Sequence, residues 1–149
     1  MNPIIIAAAI LAAGAGQPSR NGPTIFDPAS VYFKNGSAQL TPNYREFLSR
    51  FAEIASRPDS RDWRFLVMGH TDASGSARQN MLLSCRRARA VRDYLIELGV
   101  SPDRIIAEGH GAERPIPGAD DDNRRVYFLV IGDPSLIEWR QRMGFGRPC

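Results

Sequence analysis

Apolar positions recur along the chain in two rhythms, and each predicts a different element. From Tyr44 onward, Phe47, Leu48, Phe51, Ile54 and Ala55 fall at helical spacing and form one stripe. Thr41 before Pro42 supplies a hydroxyl cap and a proline tolerated in the first turn, so a first helix is predicted from there to about Ser56. A longer second helix is predicted from about Arg78 to Leu98, with Gly99 placed to stop it. Between the two, Trp63 to Met68 is a nearly continuous apolar run broken by Arg64, which suits a strand covered on both faces. Val31 to Phe33, Ile105 to Ala107 and Val126 to Ile131 read as three further strands. The order β-α-β-α-β-β predicts an α/β (α+β) fold, a two-layer sandwich with a mixed four-stranded sheet. Helical crossovers join parallel strands, and the last, helix-free link favours an antiparallel return.

The ends of the chain lack this patterning. Ile4 to Ala13 is an uncharged apolar run, shorter than the ~20 residues that span a bilayer. It has the length of a signal-peptide core, and Ala13-Gly14-Ala15 has the small-x-small form a signal peptidase needs, so residues 1–15 are expected to be a secretory signal. With no cysteine near that point, lipoprotein attachment is not expected, nor is a transmembrane anchor. Residues 16–30, with Pro18, Pro23 and Pro28, read as a linker or arm, 31–131 as the domain, and 132–149 as a tail that docks as a short helix.

Composition narrows the class. At 149 residues the chain holds about one domain, large enough to bury a core without staples. A net charge of +3 is far from the dense basic surface of a nucleic-acid binder. Lys34 is the only lysine beside eighteen arginines, the side chain suited to two-pronged grips on carboxylates.

One of those arginines stands in an apolar face. On a wheel of ~100° per residue, Leu83, Ser84, Arg87, Val91, Tyr94, Leu95 and Leu98 all lie within about 60° of Asn80. Arg78, Arg86, Arg89 and Arg92 fall on the opposite, solvated side. A buried, unpaired guanidinium costs several kcal/mol, so Arg87 calls for a carboxylate of this protein or an anionic group of a ligand. Asp72, in Gly69-His70-Thr71-Asp72 after the second strand, lies where ligands meet the carboxyl ends of strands. Two readings stand open: a plain salt bridge between Asp72 and Arg87, or a clamp for a ligand bearing both an ammonium and a carboxylate. Asn80 and Ser84 share that face and offer neutral hydrogen bonds.

Gly69-His70-Thr71-Asp72-Ala73-Ser74-Gly75, then Asn80, Leu83-Ser84, Arg87-Ala88 and Asn123-Arg124-Arg125-Val126 together resemble the signature of the OmpA-like peptidoglycan-binding domain. Val31-Tyr32-Phe33 with Ser37, Leu40 and Pro42 is similar to its opening strand and turn, so the likeness covers about Val31 to Ile131. The resemblance implies non-covalent binding of peptidoglycan through the diaminopimelate of the peptide stem, in the periplasm of a Gram-negative cell. Asp72 and Arg87 match the family positions that hold the charged groups, and Thr71, Asn80 and Arg125 match positions that surround or support the pocket. The chain departs from the family in a short loop between Pro117 and Asn123, and in having no membrane barrel, lipid-attachment cysteine or long transmembrane helix ahead of the domain.

Other chemistry is weak. Two histidines, His70 and His110, do not make a metal site, and His70, Asp72 and Ser74 lie too close in sequence for a catalytic triad. Asp120 to Asp122 lacks the alternating ligands of a calcium loop and reads as a solvated loop. Neither cofactor nor metal is expected, and no enzymatic activity. Cys85 and Cys149 can pair within the chain if the tail folds back, or between chains if it does not. The alternative function is an envelope interaction or assembly domain that binds protein partners and no peptidoglycan. The arginine-rich face of the second helix offers a further contact, with anionic lipid or protein.

Overall fold

A computed structural model of the chain describes residues 30–113, 115, 120–131, 138, 142–144 and 147–149. The expected signal segment, nearly all of the arm and most of the tail lie outside them. The elements are β1 (Val31–Tyr32), α1 (Pro42–Ala55), β2 (Arg64–Gly69), α2 (Ala77–Glu97), β3 (Ile105–Gly109), α3 (Asp120–Asn123), β4 (Arg125–Ile131) and β5 (Arg147–Pro148). Single turns of 3-10 helix at Pro58–Ser60 and Pro102–Arg104 lead into β2 and β3.

The strands form one mixed sheet in the order β1-β4-β2-β3-β5. Only β2 and β3, joined through α2, run parallel, with Phe65 opposite Ile105 and Gly69 opposite Gly109. β4 inserts between β1 and β2, antiparallel to both. The four expected strands are thus present, and β5 adds a fifth at the edge of β3. The link before β4 is not wholly irregular, because Asp120 to Asn123 make one helical turn. Four residues are too few to show an apolar period, while three aspartates in a first turn complement the helix dipole.

α1 and α2 pack on one face of the sheet. Leu48, Phe51, Ala52 and Ala55 of α1 and Ala88, Val91 and Leu95 of α2 join Phe65, Val67, Ile105, Ala107, Val126 and Phe128 in one buried cluster. The alternate residues Leu66 and Met68, with Ile106 and Tyr127, form a second cluster on the opposite face, as the period of two in a strand requires. The start of α2 is fixed by a capping box in which Ser76 accepts from the Gln79 N–H and Gln79 reaches back to Ser76. Thr41 holds the corresponding place before α1, but its hydroxyl makes no cap bond.

Two glycines bring α2 down onto the strand ends. A Cβ on Gly69 would sit 2.0 Å from the Ser84 carbonyl oxygen, and one on Gly109 would sit 2.5 Å from the Cys85 sulfur. This contact sets Arg87, one turn on from Ser84, within reach of the His70 carbonyl that follows β2. Cys85 and Cys149 are joined in a disulfide across 64 residues of sequence, which resolves the open pairing in favour of the internal bond. The Cys149 N–H also donates to Ala107 at 2.9 Å, and Arg89 donates to the Cys149 carbonyl. Among the described residues no helix is long and apolar enough to cross a membrane.

Candidate functional site

A cleft of about 280 Å³ opens beyond the carboxyl end of β2. Its walls are the turn after β1 (Asn35, Gly36), the loop after β2 (Thr71, Asp72, Ser74, Gly75) and one side of α2 (Gln79, Asn80, Leu83, Arg86, Arg87). Four of the five residues expected at the site, Asp72, Arg87, Thr71 and Asn80, line it.

Arg87 is wholly buried, and it has satisfied itself in a way that the helical wheel does not show. Nε donates to the Ser37 carbonyl at 2.8 Å, one terminal nitrogen to His70 at 2.9 Å and the other to Lys34 at 3.1 Å. The Phe33 ring lies 5.4 Å from the guanidinium carbon, within cation–π range. Burial lowers the Arg87 pKa to about 10, opposed by the nearby Asp72 carboxylate. The group is therefore fully charged at neutral pH. Three of its five N–H donors are engaged, leaving one on each terminal nitrogen.

Asp72 does not pair directly with Arg87; its ion-pair partner is Arg124, at 3.2 Å. Oδ1 accepts from the Ser74 backbone N–H at 3.0 Å and from the Ser74 hydroxyl. Burial alone would raise the Asp72 pKa, but the Ser74 hydrogen bonds, followed by those of Arg124, outweigh it and hold the carboxyl below its usual range. Arg124 is itself held by Asp121 and by the Phe33 carbonyl at 3.2 Å.

Thr71 and Asn80 are 3% and 6% exposed. The Thr71 hydroxyl has no hydrogen-bond partner, and no hydrogen bond of the Asn80 side chain is made within the described residues. Buried polar groups are nearly always satisfied, so the Thr71 hydroxyl is an exception on the cleft wall. Ser84, by contrast, is engaged behind the cleft: it donates to Met81 at 2.8 Å and accepts from the Gly111 N–H at 2.9 Å.

Arg125, the fifth expected residue, does not line the cleft. It lies on the sheet face opposite the helices, over the Tyr127 ring at 5.6 Å, and donates to Asn123 and to the Asp122 carbonyl. Sequence reasoning passed over Arg124, its neighbour, and also Arg86 and the turn at Asn35 and Gly36. The Asn-Gly pair was the available signal for a turn, but nothing local shows where that turn comes to rest. Among the described residues no group of His, Cys, Asp and Glu is placed to hold a metal ion.

Known proteins resemble the chain in sequence and in fold. Outer membrane protein A of Yersinia pseudotuberculosis is 36% identical over 103 residues, 69% of this chain and 29% of the relative. The chain thus spans about three-tenths of that relative's length. The crystal structure of the peptidoglycan-associated lipoprotein from Burkholderia pseudomallei superposes with a TM-score of 0.66 at 28% identity, over 72% of this chain and 94% of that one. The C-terminal domain of Helicobacter pylori MotB shares the fold, with a TM-score of 0.62 at 24% identity over 79% of this chain and 98% of that one. The model of the OmpA family matches residues 32–127, and the chain belongs to the OmpA family.

Proposed function

We propose that the chain is a binding module rather than an enzyme, and that it attaches non-covalently to cell-wall peptidoglycan through the diaminopimelate of the peptide stem. Asp72 meets the ammonium of that residue and the two remaining N–H donors of Arg87 meet its carboxylate, as a zwitterion clamp. Thr71 and Asn80 complete the polar contacts. Arg125 serves from behind, tying down the 120–124 segment from which Arg124 reaches Asp72. In this reading the protein acts in the periplasm of a Gram-negative cell, delivered by a signal at residues 1–15. Diaminopimelate needs no cofactor to be held there.

The observation that carries the reading is the cleft itself, where a fixed anion and a fixed cation flank a buried hydroxyl, that of Thr71, which lacks a partner among the described residues. The resemblance to a peptidoglycan-associated lipoprotein, over nearly all of that chain's length, agrees with it. The test is co-sedimentation of the purified protein with isolated sacculi at moderate salt, beside Asp72→Ala and Arg87→Ala variants shown to be folded. The parent pellets with the sacculi and both variants stay in the supernatant. A parent that remains soluble, or variants that pellet equally well, would return the fold to an envelope interaction domain with protein partners only.

A further inference from the structure

The charges around the cleft do not balance. Among the described residues, Arg86, Arg87 and Arg124 face it or brace it, against Asp72 and Asp121. Three cations against two anions leave one positive charge unmatched, and a zwitterion, being neutral overall, does not match it either. The residue left over is Arg86. Arg124 is shared between the two aspartates, and Arg87 holds three carbonyls and, in the clamp, the carboxylate of the zwitterion. Arg86 makes no hydrogen bond or ion pair within the described residues, although it lines the cleft and its charge is felt at Arg87. Arg89 and Arg92 on the same helix are differently placed: one donates to the Cys149 carbonyl, the other to the Ile105 carbonyl and Asp93.

Arg86 is exposed, so it stands at the rim while Arg87 lies at the base. A guanidinium there is suited to a planar anion by a two-pronged bond. Although neighbours on a helix do not face each other, Arg86 and Arg87 line the same cleft, so the anion met at the rim belongs to the same ligand as the group held at the base, about one residue away.

We infer that Arg86 is a specificity residue that reads a second carboxylate, carried by the residue adjoining the zwitterionic centre of the ligand. The preferred ligand class is then a peptide of net negative charge with a free carboxylate at that place, over the same peptide with a carboxamide. This rests on the clamp reading above, and concerns which peptide stems the clamp favours. An exposed ion pair at a cleft rim gives a modest preference, about three- to five-fold.

The experiment is calorimetric titration of the full chain with two synthetic stem peptides containing diaminopimelate, differing only in carboxylate or carboxamide on the adjoining residue. The parent binds the acid about three- to five-fold more tightly than the amide. Arg86→Gln equalises the two by weakening the acid alone, and Arg86→Lys, which keeps the charge but not the fork, retains part of the preference. Equal binding of both peptides by the parent, or a preference that survives in Arg86→Gln, overturns the inference. If in either case Arg87→Ala still loses both peptides, the clamp stands without it. A parent that binds neither peptide overturns the clamp and the inference together.

Discussion

Replacing Arg87 by lysine keeps the charge and removes the geometry, and the structure gives the size of the loss. The guanidinium spends three separate nitrogens on the carbonyls of Lys34, Ser37 and His70. An ammonium concentrates its three donors on one atom and cannot reach carbonyls on two sides of the cleft base. Two charge-assisted hydrogen bonds are therefore forfeited, at about 1.5–3 kcal/mol each. Water recovers part of this at the partly exposed Lys34 and Ser37 carbonyls, so the low end, about 3 kcal/mol, is expected. For a chain of this size that lowers Tm by about 6–12 °C, well inside an ordinary stability of about 5–15 kcal/mol, so the variant still folds at 20 °C. Circular dichroism melts read the shift, and co-sedimentation at 20 °C reads the clamp. The folded variant should bind sacculi weakly, because the Lys34 to Ser37 turn that forms one wall has lost its tie. A Tm within about 2 °C of the parent would refute the argument that Arg87 holds the cleft together.

Gly69→Ala drives a Cβ to 2.0 Å from a helix carbonyl, so α2 must lift from β2 at a cost of about 3 kcal/mol or more, and a denaturation midpoint equal to that of the parent would count against the packing. Reducing the Cys85–Cys149 bond releases a 64-residue cross-link, worth about 4 kcal/mol by loop entropy; urea unfolding with and without reductant measures it, and coincident curves would refute it. Asp72 is held below the usual carboxylate range, so its stabilising contribution is complete above its unfolded value of about 3.9 and is lost as the pH falls through the lower folded one. Sacculus binding should thus stay level from pH 7 to about pH 4, and a decline beginning near pH 6 would show that another group controls it. Arg104 donates to the Ala55, Ser60 and Trp63 carbonyls and lies 5.2 Å from the Phe65 ring centroid; Arg104→Ala should lower Tm by several degrees yet leave sacculus binding of the folded protein unchanged, and a loss of binding would tie it to the site.

Periodicity made the layers legible. The stripe from Tyr44 to Ala55 and the wheel of α2 place Leu48, Phe51, Val91 and Leu95 where the core has them. Adjacent residues were harder to separate. β4 begins at Arg125 rather than Val126, and since successive strand residues alternate faces, Arg125 goes to the face away from the helices while Arg124, just before the strand, reaches Asp72. No composition rule distinguishes two neighbouring arginines on that basis. β5 was invisible for another reason. Two residues, one of them proline, carry no alternation, and their placement depends on a disulfide to a helix 64 residues away. The family resemblance located Asp72 and Arg87 as a pair, but the alternatives weighed for Arg87, a carboxylate or a ligand, both omitted the main chain.

That omission bears on how the cleft would work. A direct Asp72–Arg87 salt bridge would give an incoming zwitterion nothing to bind until the bridge had opened, and separating a buried ion pair costs about 3–5 kcal/mol. The chain instead satisfies each charge from its own side of the cleft: Arg87 through the carbonyls of residues 34, 37 and 70, Asp72 through Ser74 and Arg124. Neither network needs the other charge, so anion and cation are held apart and fixed before a ligand arrives. Preorganisation of this kind raises affinity by cutting the cost of ordering the site. Arg104 is a useful contrast, since it grips three carbonyls in the same manner but does not line the cleft. The carbonyl grip alone is thus a way to bury an arginine. In the clamp reading it serves as a binding device at Arg87 because the loop after β2 brings Asp72 and Thr71, and α2 brings Asn80, to the same opening.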